Sequence, residues 1–340
     1  MLLGTEEVPV SVSATLSETL AKICEAGQRP ASDQARYTIR WVLAHDPPVV
    51  FEEACAQFIE TVRERTHGEV EVQLLTTDDF VAGRGGEDLS RTELVECLAR
   101  GEVEMAHTYV STLGSVHEPL WALELPFLFR DYEHAEKVLE GPLATRLMDE
   151  MAVHGIRGLS FAYSGGFRIL PSTGRRVEQL SDLAGLRIRT SGNPIPAEMY
   201  RRMGASACPG ALHHVAQRTR AGEIDAAELT FVRFLYTGLN EVFSVVNDTG
   251  HSLFMTMMAI NETFFRGLPE GHQAAIVEAG RRAGEIERGV SLAEEARVKQ
   301  QLPALGVEVV RMDEARRAEF RELALGVYES FAPRFGQDIV

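Results

Sequence analysis

The sequence predicts an α/β protein built as two lobes. Three observations carry this reading. Apolar, strand-like runs alternate with helix-length segments at a spacing of roughly 25 to 35 residues. A chain of 340 residues fills two medium cores more comfortably than one large one. One stretch without interior proline, from about Glu270 to Leu302, is as a helix roughly 45 to 50 Å long, more than one lobe spans, so it is expected to brace both.

Residues 1–36 contain one helical segment, Leu16 to Ala26, and read as an extension outside the main fold. The body begins at YTIRWVLAH, residues 37–45, an apolar run suited to a buried strand, and a helix follows from about Val49 to His67. HGEVEVQLL, residues 67–75, alternates as a second strand, and Leu89 to Arg100 reads as a helix. Between them lies the Gly-rich AGRGGED. It lacks the GxGxxG spacing, and Glu87 and Asp88 would repel a phosphate, so it reads as a connector. GEVEMAHTYV supplies a strand from about Val103 to Tyr109. HGIRGLSFAYSG supplies another near residues 156–163, and GGFRILPS a further one. The alternation points to parallel sheets with crossover helices. After residue 228 come helical residues through Asn240, a strand near Phe243 to Val246, the apolar SLFMTMMAINETF and the long helix.

Formal charge is 34 − 50 = −16, which disfavours nucleic acid and anionic lipid, since both require a basic face. A small anion needs only a local cationic pocket. The lysines are Lys22, Lys137 and Lys299, so nearly every cation is arginine and one arginine alone argues weakly. Cys24, Cys55, Cys97 and Cys208 show no CxxC spacing and read as free thiols rather than a zinc or redox site. No cofactor, metal or catalytic constellation is legible. No apolar run reaches 18 residues. The start, MLLGTEEVPVSVSA, places Glu6 and Glu7 where a secretory signal is basic, so no export signal is expected from it.

Asp182 to Glu228 is the most informative stretch. It sets Arg189 at the end of a short apolar strand, inside a strand, helix, strand, helix unit. The carboxyl end of a strand in an open α/β sheet faces the ligand crevice, and a planar guanidinium there suits a carboxylate. Arg187, two residues earlier, is assigned to structure. Gly165 and Gly166 let backbone approach a ligand or form a hinge, and Arg168 follows them. Asn193 is a loop amide able to read a hydroxyl or carbonyl. His45, in the AHDPP loop, is placed at the cleft mouth. His213 and His214 are adjacent, so as helical neighbours they diverge by about 100° and do not share a metal.

Five motifs in order, LELPFLFRDYEHAEKVLEGPL at 123–143, GGFRIL, DLAGLRIRT, MGAS and RAGEIDAAE, closely resemble the solute-binding proteins of TRAP transporters, the tripartite ATP-independent periplasmic type. The similarity covers roughly residues 37–340. It implies a two-lobed periplasmic-binding-protein-like fold with hinge strands, a long bridging helix, and closure around one organic anion. By resemblance Arg189 pairs with the substrate carboxylate, Arg168 is a second contact and Tyr109 lies in the cleft. Glu228 matches the family, but Leu229 replaces its usual asparagine, which suggests a guest with an apolar part or fewer hydroxyls nearby, with Phe231 on the same wall or packed beneath it. The HHVAQRTRAGE segment also departs from the family pattern.

The implied function is non-enzymatic capture of a small organic carboxylate for uptake, with membrane permease subunits as partners, a monomeric state and a periplasmic location. A cytoplasmic location is the alternative that the start of the chain suggests. Two further alternatives are a sensory receptor and an enzyme using Cys208, His213 or His214, and Asp225. The expected division is residues 1–36 as an extension, 37–165 with 255–294 as lobe I, and 166–254 with 295–340 as lobe II.

Overall fold

A computed structural model describes residues 35–45, 48–85 and 89–336. The expected helix at Leu16 to Ala26 lies outside these residues. The chain opens with strand β1 (Tyr37–Leu43), whose Ile39, Trp41 and Val42 are fully buried. Helix α1 (Glu52–Arg65) leads to β2 (Val70–Thr76), which alternates buried and half-buried as a one-sided strand does. Helix α2 (Thr77–Gly83), just ahead of the Gly-rich connector, is started by a reciprocal Thr76–Asp79 cap. Helix α3 (Arg91–Arg100) has the same device in Ser90 and Glu93. Strand β3 (Met105–Tyr109) ends in the short α4 (Val110–Leu113). Two amphipathic helices, α5 (Tyr132–Leu139) and α6 (Pro142–Glu150), precede β4 (Ile156–Ser172).

Then follow β5 (Arg187–Arg189), α7 (Pro194–Arg202), β6 (Ser206–Ala207), α8 (Val215–Arg220), β7 (Ala226–Ala227), β8 (Leu229–Thr230), α9 (Phe231–Tyr236) and β9 (Val245–Asp248). Strand β10 (Leu253–Asn261) is buried throughout, and α10 (Glu262–Gly267) joins it to α11 (Glu270–Gln301). Strand β11 (Glu308–Arg311) and α12 (Glu314–Phe335) complete the described chain.

The strands run β2-β1-β3-β10-β4-β7-β5-β6, with β8 and β9 also on β4 and β11 on β9. One lobe holds β1, β2 and β3 with apolar clusters on both sheet faces, and the other holds β5, β6, β7, β9 and β11 with two clusters of its own. The expected parallel pairing is present in both parts of the sheet, and the long connecting strands add antiparallel pairs to it. β1 pairs parallel with β2 and β3, and β5 with β6 and β7, but β4 and β10 run antiparallel to each other. The chain crosses between lobes along β4 and returns along β10, so opposite directions are unavoidable.

The two strands expected around residues 156–172 are one. Gly165 and Gly166, at φ +84 and +93, make a bulge at which Phe254 pairs with Gly166 and Met255 with Tyr163. Only glycine adopts such a pair without strain. Helix α11 lies on β4, α1 and α9. Its Gly280 and Gly284 allow the close approach, since a Cβ on either would come 2.8 Å from Leu159 or Ser160. Glu287, fully buried on α11, accepts hydrogen bonds from Tyr163 N at 2.6 Å and Ser291 Oγ at 2.6 Å, which pins the helix beside the bulge.

Candidate functional site

The carboxyl ends of β1, β3 and β5 converge on a cavity of about 640 Å³, within the range that holds a small ligand. His45, Arg91, Tyr109, Arg168, Arg189, Asn193, Glu228, Arg233 and Phe254 are among the residues that line it.

Arg189 ends β5 and is 7% exposed. Its Nε donates to Gly210 O at 2.8 Å, and its two terminal nitrogens have no partner among the described residues. Burial lowers its pKa to about 10, and Arg233, Arg168 and Arg91 push in the same direction while Glu228 opposes them. Such a group demands an anion. Arg187 is half-exposed and pairs with Asp225 at 2.7 Å, a structural role.

Arg168 lies between two buried acids, with Nη2 3.3 Å from Glu124 and Nη1 3.6 Å from Glu228. Its guanidinium carbon sits 3.8 Å from the centroid of the Phe254 ring. It lines the cavity, yet its charge is already matched within the fold. Burial pushes the Glu124 carboxyl up to about 7, against the pull of Arg168 and Asn193. For Glu228, burial acts upward, but Arg168, His251 and Arg189 together hold it below the ordinary value. Glu228 Oε1 is 3.0 Å from His251 Nε2, whereas Oε2 is buried without a hydrogen-bond partner.

Asn193 caps α7 by accepting from Ile195 N at 2.9 Å, and its amide donates to Glu124. It is thus an organiser of the acid cluster as well as a lining residue. Tyr109 stacks on Phe254 with ring centroids 5.1 Å apart and accepts from Arg233 Nη1 at 2.6 Å. His45 Nε2 lies 2.6 Å from Ser164 Oγ, beside the Tyr109 ring.

One expected wall residue, Leu229, is corrected, and Phe231 takes the second of its two readings, packed beneath the wall. Neither lines the cavity; both pack in an apolar cluster with Leu212 and Phe234. Along the extended segment that leads into β8 successive side chains face opposite sides, so Glu228 toward the cavity sends Leu229 into the core. His213 and His214 do not diverge either: they lie on a short 3-10 turn with Nε2 atoms 3.0 Å apart, and His213 reaches the cavity. Asp225 is committed to Arg187, so the three-residue catalytic arrangement is not brought together. No group of three metal-ligating side chains occurs among the described residues.

Sequence reading missed Arg233, Arg91, Phe254 and Glu124. Arg91 is exposed at the first turn of α3, with its guanidinium carbon 4.6 Å from the Tyr109 ring. A cation in a first turn opposes the helix dipole. That mismatch was a usable signal.

A family model for the bacterial extracellular solute-binding proteins, family 7, matches residues 44–334. The chain is 28% identical to a solute-binding protein of Verminephrobacter eiseniae over 82% of this chain and 80% of that one. Its fold matches a TRAP periplasmic solute-binding protein of Ochrobactrum anthropi, whose C-terminus is bound in its ligand-binding pocket, at a TM-score of 0.82 and 25% identity, covering 90% and 93% of the two chains. It also matches one of Chromohalobacter salexigens with bound d-glucuronate, at a TM-score of 0.79 and 23% identity, covering 88% and 96%.

Proposed function

The chain belongs to the bacterial extracellular solute-binding proteins of family 7, receptors of TRAP transporters rather than enzymes, and on that footing we propose how its own cavity reads a ligand. A small organic carboxylate sits with its two oxygens on the terminal nitrogens of Arg189. The observation that carries this is a buried guanidinium, facing the cavity, with no acid hydrogen-bonded to it. Glu228 Oε2, buried on the same cavity with no hydrogen bond and only Arg168 Nη1 at 3.6 Å, accepts a hydroxyl of the ligand. The guest is therefore a hydroxy acid of up to sugar-acid size, a class that includes the d-glucuronate of the structural neighbour from Chromohalobacter salexigens.

We take the described residues of 37–165 with 255–294 as one lobe, and those of 166–254 with 295–336 as the other, hinged at the Gly165–Gly166 bulge. Ligand binding draws the lobes together because the closed state offers contacts from both walls. The protein acts outside the cytoplasmic membrane as a monomer and delivers its guest to membrane permease subunits.

Mass spectrometry of acids retained by the purified protein, followed by calorimetry on wild type and Arg189→Ala, tests the reading. Retention of a hydroxy acid whose affinity collapses in the variant supports it. A tightly held guest without a carboxylate, or one indifferent to Arg189, would sink it.

A further inference from the structure

Four arginines are buried among the described residues: Arg168, Arg189, Arg233 and Arg288. Two have acids of the protein against them. Arg288 meets Glu136 at 2.9 Å and also Glu140, and Arg168 meets Glu124 and Glu228. Arg189 and Arg233 make no ion pair among the described residues, and both line the cavity. A buried charge is normally paired, so an unpaired one on a cavity wall is waiting for a counter-charge from outside.

Arg233 is 4% exposed on α9. Its Nη1 donates to Tyr109 Oη at 2.6 Å, and its guanidinium carbon lies 5.3 Å and 5.5 Å from the ring centroids of Tyr109 and Phe254. These neighbours fix the fork in place without neutralising it. Arg189 is tied to a different wall, through Gly210 O ahead of α8, so the two forks are anchored independently.

We propose that Arg233 is a second anion contact and that the ligand carries two acidic groups, one on Arg189 and one on Arg233. This rests on the reading of the cavity as a carboxylate site. Two unneutralised guanidiniums repel, and after burial Arg233 is the strongest influence holding Arg189 toward about 10. A dianion relieves both charges, whereas a monoanion leaves one exposed to the other.

The test is calorimetry with matched pairs that differ at one carbon, glucarate against gluconate and succinate against butyrate, on wild type, Arg233→Gln, Arg233→Lys and Arg189→Gln. Wild type is expected to favour the diacid of at least one pair by about ten- to hundredfold, the factor one charge-assisted contact supplies. Arg233→Gln brings that ratio to about one, Arg233→Lys restores part of it, and Arg189→Gln removes binding of both members. Thermal melts confirm that each variant folds.

Equal affinity for diacid and monoacid in wild type overturns the second contact while leaving the carboxylate site standing. So does an equal loss of both acids in Arg233→Gln, which would mean one carboxylate shared by both arginines. Absence of any acid binding in folded wild type overturns the carboxylate reading itself, and the second contact with it.

Discussion

Replacing Arg189 with methionine separates the two roles that the cavity imposes on it. The side chain is 7% exposed and burial lowers its pKa to about 10. A depression of that size from the ordinary guanidinium value corresponds to on the order of 3 kcal/mol. The sign follows from proton binding: the folded group holds its proton less tightly than the unfolded one, so the penalty is complete below pH about 10 and fades only above it. At neutral pH the unliganded protein carries all of it. Methionine removes this penalty but also the bond to Gly210 O, worth about 1 kcal/mol, and one of the attractions on Glu228. A net gain of about 1–2 kcal/mol remains, a rise of a few degrees in Tm for a lobe of this size. The ligand loses two charge-assisted hydrogen bonds, about 3–6 kcal/mol, or roughly 10²- to 10⁴-fold in Kd. Scanning fluorimetry with and without the co-purified acid measures both effects. A variant that melts more than about 5 °C lower without ligand, or that keeps its ligand-induced shift, would refute the reasoning.

Arg168→Ala should behave oppositely: it strands Glu124 and Glu228 in the interior, costing about 3–5 kcal/mol and close to 10 °C in Tm, and Glu124→Gln added to it should recover part of the loss. Burial pushes Glu287 up to about 8, so its folded form holds a proton that the unfolded chain has already lost above the ordinary carboxyl range. Stability therefore falls as pH rises from about 4.5 to 8, and Glu287→Gln should match wild type at pH 4 yet melt several degrees higher at pH 9. Gly166→Ala places a Cβ against Tyr132 Oη and 2.7 Å from Glu295 Oε2 at φ +93, which should cost at least about 2 kcal/mol, and a wild-type melt for this variant would show that the bulge is not constrained.

What could be read from the sequence divides along a physical line. Arg189, Asn193 and His45 could be placed on the cavity because each stands at or past the carboxyl end of a strand, and period-two alternation locates strand ends in one dimension, whereas Tyr109 was placed there by the family resemblance. Leu229 failed for the same geometry: proximity in sequence to Glu228 places a residue on the opposite face as readily as on the same one. Gly165 and Gly166 read as a break between strands because a lone chain does not show which strand lies beside it. Only the pairing with Phe254 and Met255 makes them a bulge within one strand.

Arg233 and Glu124 were hidden for a deeper reason. Each stands inside an apolar run, FVRFL and LELP, where a charged residue reads equally as a surface excursion or as half of a buried pair. With arginine supplying almost every cation of this chain, residue type carries no information about role. Pairing does. Arg168 and Arg288 lie beside two acids each, whereas Arg189 and Arg233 have only a carbonyl or a phenol oxygen to donate to. Since all four are buried, the difference is not one of solvent: the first two complete their charge within the fold, and the second two are left for whatever the cavity receives. The same contrast explains why the opposite stability effects of Arg168→Ala and Arg189→Met form one test. If both substitutions destabilised equally, both cations would be structural, and the cavity would have lost its claim to an anion.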